Sequence, residues 1–372
     1  MGIQIKGSND TISSADGSIV LEGATLTFTN ENITGISTMA SAQVDGNLDI
    51  VDKIRHVGDT DTAITFAQAN TISAETGGSE ALRIDSGQRL LIGHTATRAI
   101  AGGNSMLQIE KNSSELATFL RTDNGNGAAW LALAKSRSSA GAVCQAGDQV
   151  GGIAFVPHDG TDLNHHCAEI RAYVDTGIGG DDVPGYLTFN TNGGASTTTE
   201  RLRIDSGGRL LLGATTSQEV YGTNALQIQG TTAATSGMSL LRQGGSPYLA
   251  LGATGGSSLG AVNAVADDSR LGQLTFVGAD GTDVNTHACS VAGYVDGSVS
   301  SNTVPGRLVF KTSTGASEVE RMRILSTGQV NIGGNYTQTS APLSVTTNAN
   351  DYGYRLMTGS NVVMELLNND SA

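Results

Sequence analysis

One fourteen-residue pattern occurs three times in this chain, and its spacing restricts the fold more than any other feature. It runs EALRIDSGQRLLIG from Glu80 to Gly93, ERLRIDSGGRLLLG from Glu200 to Gly213, and ERMRILSTGQVNIG from Glu320 to Gly333. Arg83, Arg203 and Arg323 stand 120 residues apart. The flanks repeat as well. Phe155-Val156 and Asp159-Gly160-Thr161-Asp162 return as Phe276-Val277 and Asp280-Gly281-Thr282-Asp283, 121 residues on. Tyr173-Val174-Asp175 returns as Tyr294-Val295-Asp296, and Val183-Pro184-Gly185 as Val304-Pro305-Gly306. A period this long denotes a duplicated module. The offset falls to 118 at Trp130-Leu131-Ala132-Leu133 against Tyr248-Leu249-Ala250-Leu251, so length changes lie near 110–129 and 135–150. Insertions are cheapest in surface loops.

Between those loops the apolar period is two. Leu202 and Ile204 alternate with Arg201 and Arg203, then Asp205-Ser206-Gly207-Gly208 leads into a second apolar run, the signature of a β-hairpin. Tyr186–Phe189, Arg307–Phe310 and Ala63–Phe66 are short strands ahead of each hairpin. Ala128–Lys135 is the one tempting helix, but its repeat runs into Ala253-Thr254-Gly255-Gly256, which is poor helix material. Both segments read as strands, with Trp130 and Tyr248 packed in the module core. The fold expected is all-β. The expected division is an N-terminal attachment shaft and first connector over residues 1–104, two β-sandwich-like modules with hairpin connectors over 105–213 and 214–333, and a partial third module or cap over 334–372.

Composition limits what such modules can do alone. Glycine is 50 of 372 residues, aromatics are 4% with a single tryptophan, and charged residues are 15% against about a quarter in typical domains. Any core is therefore thin and built from small side chains, and strands that cannot bury both faces leave edges open to another copy. Three identical chains wound about one axis would close those edges. The net charge of −14 and the lack of any run of basic residues argue against nucleic acid. They also argue against anionic membranes, and no window approaches the 18 apolar residues of a membrane helix. Cys144, Cys167 and Cys289 are isolated thiols, and the N-terminal residues match no signal peptide or myristoylation motif, which points to assembly in a reducing cytoplasm.

The pattern Glu200–Gly208 resembles the ERxRIDSSGxxGIG repeat of fibre proteins of tailed bacteriophages, above all those of marine and cyanobacterial phages. Gly278–Asp283, Val304–Phe310 and the lead-in Gly58–Ile64 with Glu75–Glu80 are similar to segments that accompany that repeat, and the resemblance spans residues 33–345. It implies an elongated parallel homotrimer with an intertwined N-terminal β shaft. Its N-terminal region would be held by virion tail, neck or baseplate proteins, and its distal end would touch a host surface glycan or protein. The implied location is the virion, after assembly in the host cytoplasm. Such fibres often carry a self-cleaving C-terminal chaperone, and no segment here resembles one. The implied work is host attachment. The alternatives are a non-adhesive collar, neck or capsid fibre, or a polysaccharide depolymerase.

Few residues suggest chemistry. Asp159, Asp162, Asp280 and Asp283 could offer oxygen ligands to a cation, but EF-hand and GGxGxD spacings are absent and Asp-Gly is a favoured turn pair. His158, His165, His166 and Cys167 form the densest soft-ligand cluster. Only His166 keeps its identity in the repeat, as His287, so these read as loop histidines. Asp181-Asp182 is an adjacent acidic pair that could suggest a glycosidase site, but its counterparts are Asn302-Thr303 and no aromatic cluster is nearby. No catalytic residue, metal site or cofactor is expected. Tyr336, Tyr352 and Tyr354 are the candidate partner contacts, aromatic residues being favoured at interfaces. Arg201, Arg203, Arg321 and Arg323 read as a solvated strand face, with acids of another subunit as the alternative.

Overall fold

The computed structural model describes residues 50–336, apart from 51, 57, 67, 316 and 335, together with 343–345. The shaft strands expected near Thr25–Thr29, Ile33 and Val44 lie outside the described residues, as do Tyr352 and Tyr354. The chain divides into two units, Met1–Gln88 and Arg89–Ala372. In the first, β1 (Lys53–Arg55), β2 (Ala63–Thr65), β3 (Ile72–Thr76) and β4 (Ser79–Ile84) form an antiparallel meander. The second opens with β5 (Leu90–Ile92) and β6 (Leu107–Ile109), paired in parallel.

Two six-stranded sheets follow. One comprises β7 (Gln149–Phe155), β8 (Ala168–Val174), β9 (Gly185–Thr191), β10 (Thr199–Ile204), β11 (Leu210–Leu212) and β12 (Leu226–Ile228). The other comprises β13 (Arg270–Gly278), β14 (Thr286–Val295), β15 (Gly306–Ser313), β16 (Glu318–Ile324), β17 (Val330–Ile332) and β18 (Leu343–Val345). Spatial order follows chain order in both. The all-β expectation holds: α1 (Ala233–Ser236) is a single turn, and among the described residues no helix is long and apolar enough to cross a membrane. Each module is one open sheet, so the second layer of a sandwich does not come from the same module.

The repeated motif folds as a bulged hairpin. In β4, β10 and β16 the register shifts by one residue, leaving Ala81, Arg201 and Arg321 without a partner across the ladder. Residues three apart on a regular strand face opposite sides; the extra residue brings Glu and Arg of the motif to one side. Arg203 thus grips Glu200 with Nε–Oε1 2.8 Å and Nη2–Oε2 2.9 Å, and Arg323–Glu320 and Arg83–Glu80 repeat that fork. The turn is fixed by Asp205, whose Oδ1 accepts from the Gly207 and Arg209 amides. The position between those two amides is left-handed in all three copies, at Gln88 (φ 61°), Gly208 (φ 77°) and Gly328 (φ 87°).

The hairpin is followed by a parallel strand, which needs a crossover. Residues 213–225 supply it in the second copy and 93–106 in the first. Leu107-Gln108-Ile109, Leu226-Gln227-Ile228 and Leu343-Ser344-Val345 look from sequence like the openings of new modules. Each instead pairs with the strand before its crossover, β6 on β5, β12 on β11 and β18 on β17. Leu91, Leu211 and Asn331, the middle residues of β5, β11 and β17, are fully buried, as are Val174, Val295 and Val309 within the sheets. Gln108 and Gln227 hold the first two roofs, their Oε1 atoms accepting from the Arg98 and Gln218 amides at 3.0 and 2.9 Å. Each crossover also docks on the next sheet: the Gly102 amide donates to Asn164 Oδ1 at 3.1 Å and the Tyr221 amide to Asn285 Oδ1 at 2.8 Å.

Residues 111–148 and 231–269 contain no strand. Ala128–Lys135 and its repeat are therefore neither helix nor paired strand, and Trp130 and Tyr248 are exposed rather than in a core. The cause is physical. An extended segment becomes a strand only against a partner, and within one chain the adjacent sheet edge takes none.

Candidate functional site

Residues opposite each other across a ladder share a face, and the registers sort each sheet into two unlike sides. On one side of the β7–β12 sheet lie Ile153, Ile170, Phe189, Leu202, Leu212 and Ile228, with Ala172, Leu187, Ile204, Leu210 and Leu226 in the adjoining row. The β13–β18 sheet repeats this with Leu274, Val291, Phe310, Met322, Ile332 and Val345. In the first unit Ile54, Ile64, Ile72, Leu82 and Ile84 share one face. These apolar faces are bare: Ile54, Ile64, Ile72, Ile84, Ile153, Leu187, Leu212, Leu226, Leu274 and Val345 are all exposed. Among the described residues 39 large apolar side chains are exposed, whereas seven apolar residues are buried. A self-contained domain has the opposite balance.

The other side is polar and closed by its own long side chains. Tyr173 and Tyr186 stack with centroids 5.1 Å apart, and the Arg203 guanidinium lies 4.0 Å over the Tyr186 ring. Glu169 on β8 is nearly fully buried beside them. Burial alone would push its carboxyl up, but bonds from Arg171, Thr198 and His166 outweigh that and hold it at about 2. In the next sheet the acid changes strand. Ser290 replaces Glu169 on β14, and Glu318 at the head of β16 replaces Thr198; Ser290 Oγ donates to Glu318 Oε2 at 2.9 Å. His287, the repeat of His166, lies 3.3 Å from the same oxygen, with Tyr221 edge-on to its ring. The Ser290 hydroxyl is bonded to carboxylate rather than to imidazole, so this is not the geometry of an activated nucleophile.

In fold the chain resembles a phage tail-fibre domain. The carboxy-terminal domain of the bacteriophage T5 L-shaped tail fibre superposes with a TM-score of 0.50 at 18% identity, over 69% of this chain and 99% of that one. The same domain with its intramolecular chaperone gives 0.49 at 16% identity, over 69% and 71%. No protein-family model and no curated protein sequence matches the chain.

The sequence-predicted candidates fall into two groups. Asp159 and Asp162 sit in the β7–β8 loop with His165, whose Nδ1 is 3.0 Å from Asp159 Oδ2. Asp159 Oδ1 accepts the Thr161 and Asp162 amides, and Asp162 Oδ1 accepts the Asn164 amide. Those bonds, with His165, hold the Asp159 carboxyl at about 2. Asp280 and Asp283 build the same turn in the repeat, where the Thr286 hydroxyl takes the part of His165 and donates to Asp280 Oδ2 at 2.7 Å. The loop thus presents Asn164 and Asn285 to the preceding crossovers.

Tyr336 lies against the third hairpin, its hydroxyl donating to the Glu320 carbonyl and Arg323 5.3 Å from its ring centroid. Arg203 and Arg323 are paired with acids of their own chain, and Arg201 and Arg321 bond Thr191 and Thr312 at 3.0 Å. Arg201 and Arg321 are exposed, as a solvated strand face requires, whereas Arg203 and Arg323 are half-buried. His158 Nδ1 accepts the Gly160 amide at 3.0 Å, and Cys167 is exposed. Glu169, Glu200, Glu318 and Glu320 carry the electrostatics of the polar face, and sequence reasoning passed over their pairing. For Glu200 and Glu320 the signal was the Glu-x-x-Arg spacing itself, which a regular strand cannot use.

Proposed function

We propose that this chain is a structural component of a bacteriophage tail fibre, working as a parallel homotrimer in attachment of the virion to a bacterial host. The observation that carries the reading is the bare apolar face of all three sheets. Three copies about one axis would turn those faces inward and leave the closed polar faces to water. The likeness in fold to the T5 tail-fibre domain supports the same reading. Three-fold repetition also multiplies weak surface contacts into firm attachment. In this reading the chain has no catalytic centre or cofactor, and its N-terminal region joins it to the virion.

Light scattering on the purified full chain tests the assembly: the reading expects about 114 kDa from a 38.0 kDa protomer. A mass of one protomer at micromolar concentration refutes it. Binding of fluorescently labelled protein to intact host bacteria, competed by unlabelled protein, tests attachment. A trimer that binds no host cell would leave a passive virion fibre in its place.

A further inference from the structure

Resting on the trimeric reading, we infer that two unpaired segments, residues 116–133 and 238–251, are donated to a neighbouring copy, where Trp130 and Tyr248 are buried. Both segments precede an edge strand, β7 or β13, and approach their own sheet at Leu133 and Leu251. The Leu133 side chain rests where a β-carbon on Gly151 would stand, 2.7 Å from Leu133 Cβ, and Leu251 does the same over Gly272 at 2.5 Å. Both glycines lie in the apolar-face row, so the segments leave their sheet over that face.

Upstream of this contact the side chains emerge into the open in the same order twice. Leu133, Leu131 and Trp130 are 50%, 67% and 87% exposed; Leu251, Leu249 and Tyr248 are 49%, 58% and 83%. Neither run contains a strand or helix. Backbone without a ladder, carrying large exposed apolar side chains, is half of an interface.

The occupant is a second copy of this chain. The same run occurs twice at matching positions, and each is followed by a sheet with a bare apolar face. Ile153 and Phe155 in one, and Leu274 and Phe276 in the other, are half exposed at the edge strand itself. A chain carrying both halves in each module, in a register that repeats, is complementary to itself and needs no other partner.

Trp130 is the only tryptophan, so the native full chain reports on its own interface. Expected are an emission maximum blue-shifted from that of the urea-unfolded protein and acrylamide quenching several-fold weaker. Amides of 116–133 and 238–251 should exchange orders of magnitude more slowly than an unpaired chain. Trp130→Phe with Tyr248→Trp moves the probe to the second module, and the same result is expected. A trimeric mass with solvent-like emission and fast exchange overturns the donation while leaving the trimer standing. A monomeric mass overturns both.

Discussion

The two arrangements of acid and hydroxyl on the polar faces are interchangeable in design, and exchanging them experimentally measures what they contribute. Glu169 is held at about 2 against an ordinary 4.5, which amounts to roughly 3 kcal/mol favouring the folded form at neutral pH. The carboxyl is depressed in the fold, so this stabilisation is complete above about pH 5 and drains away as pH falls from 4.5 towards 2. Glu169→Ser strands the Arg171 guanidinium and the Thr198 hydroxyl, at a cost of about 3 kcal/mol. Thr198→Glu alone sets a second carboxylate beside Glu169 and costs about 2 kcal/mol. Glu169→Ser with Thr198→Glu rebuilds the Ser290–Glu318 pair of the next sheet. The double variant should therefore be more stable than the sum of the single costs by about 2 kcal/mol or more. Hydrogen exchange of β8–β10 peptides in the full chain reads this locally, with β14–β16 peptides as an internal reference at pH 7. Additive losses in the double variant, or an unchanged acid response of β8–β10 in Glu169→Gln, would refute the reasoning.

Other perturbations follow from the hairpins and crossovers. Gly213 has φ +80° and its absent β-carbon would stand 2.3 Å from the Gln229 carbonyl oxygen. Gly213→Ala should destabilise the β11–β12 pair by about 2 kcal/mol or more, seen as faster exchange of the Gln229 amide. Glu320→Gln removes the charge from the fork that spans the bulge and should lower the denaturant midpoint by the equivalent of about 1–2 kcal/mol, whereas Lys311→Gln should shift it by less than half of that. Asn285→Ala frees the Tyr221 amide, so exchange in residues 220–225 should rise while β13–β18 remains protected.

The repeat, the hairpins and the all-β class were legible because they rest on local chemistry. Alternation of Leu202, Arg203 and Ile204 and the Asp205–Gly208 turn act within a few residues. The bulge was hidden for a different reason: Glu200 and Arg203 look like residues on opposite faces until a register shift is allowed, and that shift depends on β9. The parallel pairing of Leu226–Ile228 on β11 was equally out of reach. Strand patterning says that a segment is extended, and nothing in it says which neighbour lies across the ladder. Trp130 and Tyr248 were misplaced by the sound rule that aromatics in apolar runs are buried, applied to a single chain whose apolar runs have no partner of their own.

That last error has a physical content of its own. In a self-contained sheet protein the apolar rows are covered first and the charged rows face water. Here Glu169, Thr188, Asn190 and Ser290 are buried on the polar side by Arg, Tyr and crossover loops, while Ile153, Leu187, Leu212 and Leu226 on the apolar side are left uncovered. Covering the apolar side from within would take a second layer of bulky side chains, and a chain with 50 glycines and 4% aromatics does not supply one. In the trimeric reading a neighbouring copy would supply it without lengthening the chain. If that is the reason for the composition, charge placed on the apolar rows should act on assembly before it acts on the sheet. Leu212→Lys should shift the full chain towards protomer mass in light scattering while β8–β10 amides, held by the polar face, stay protected in the protomer fraction. Loss of that protection in step with dissociation would mean that the polar face cannot hold a sheet unaided, and the division of labour between the two faces would have to be abandoned.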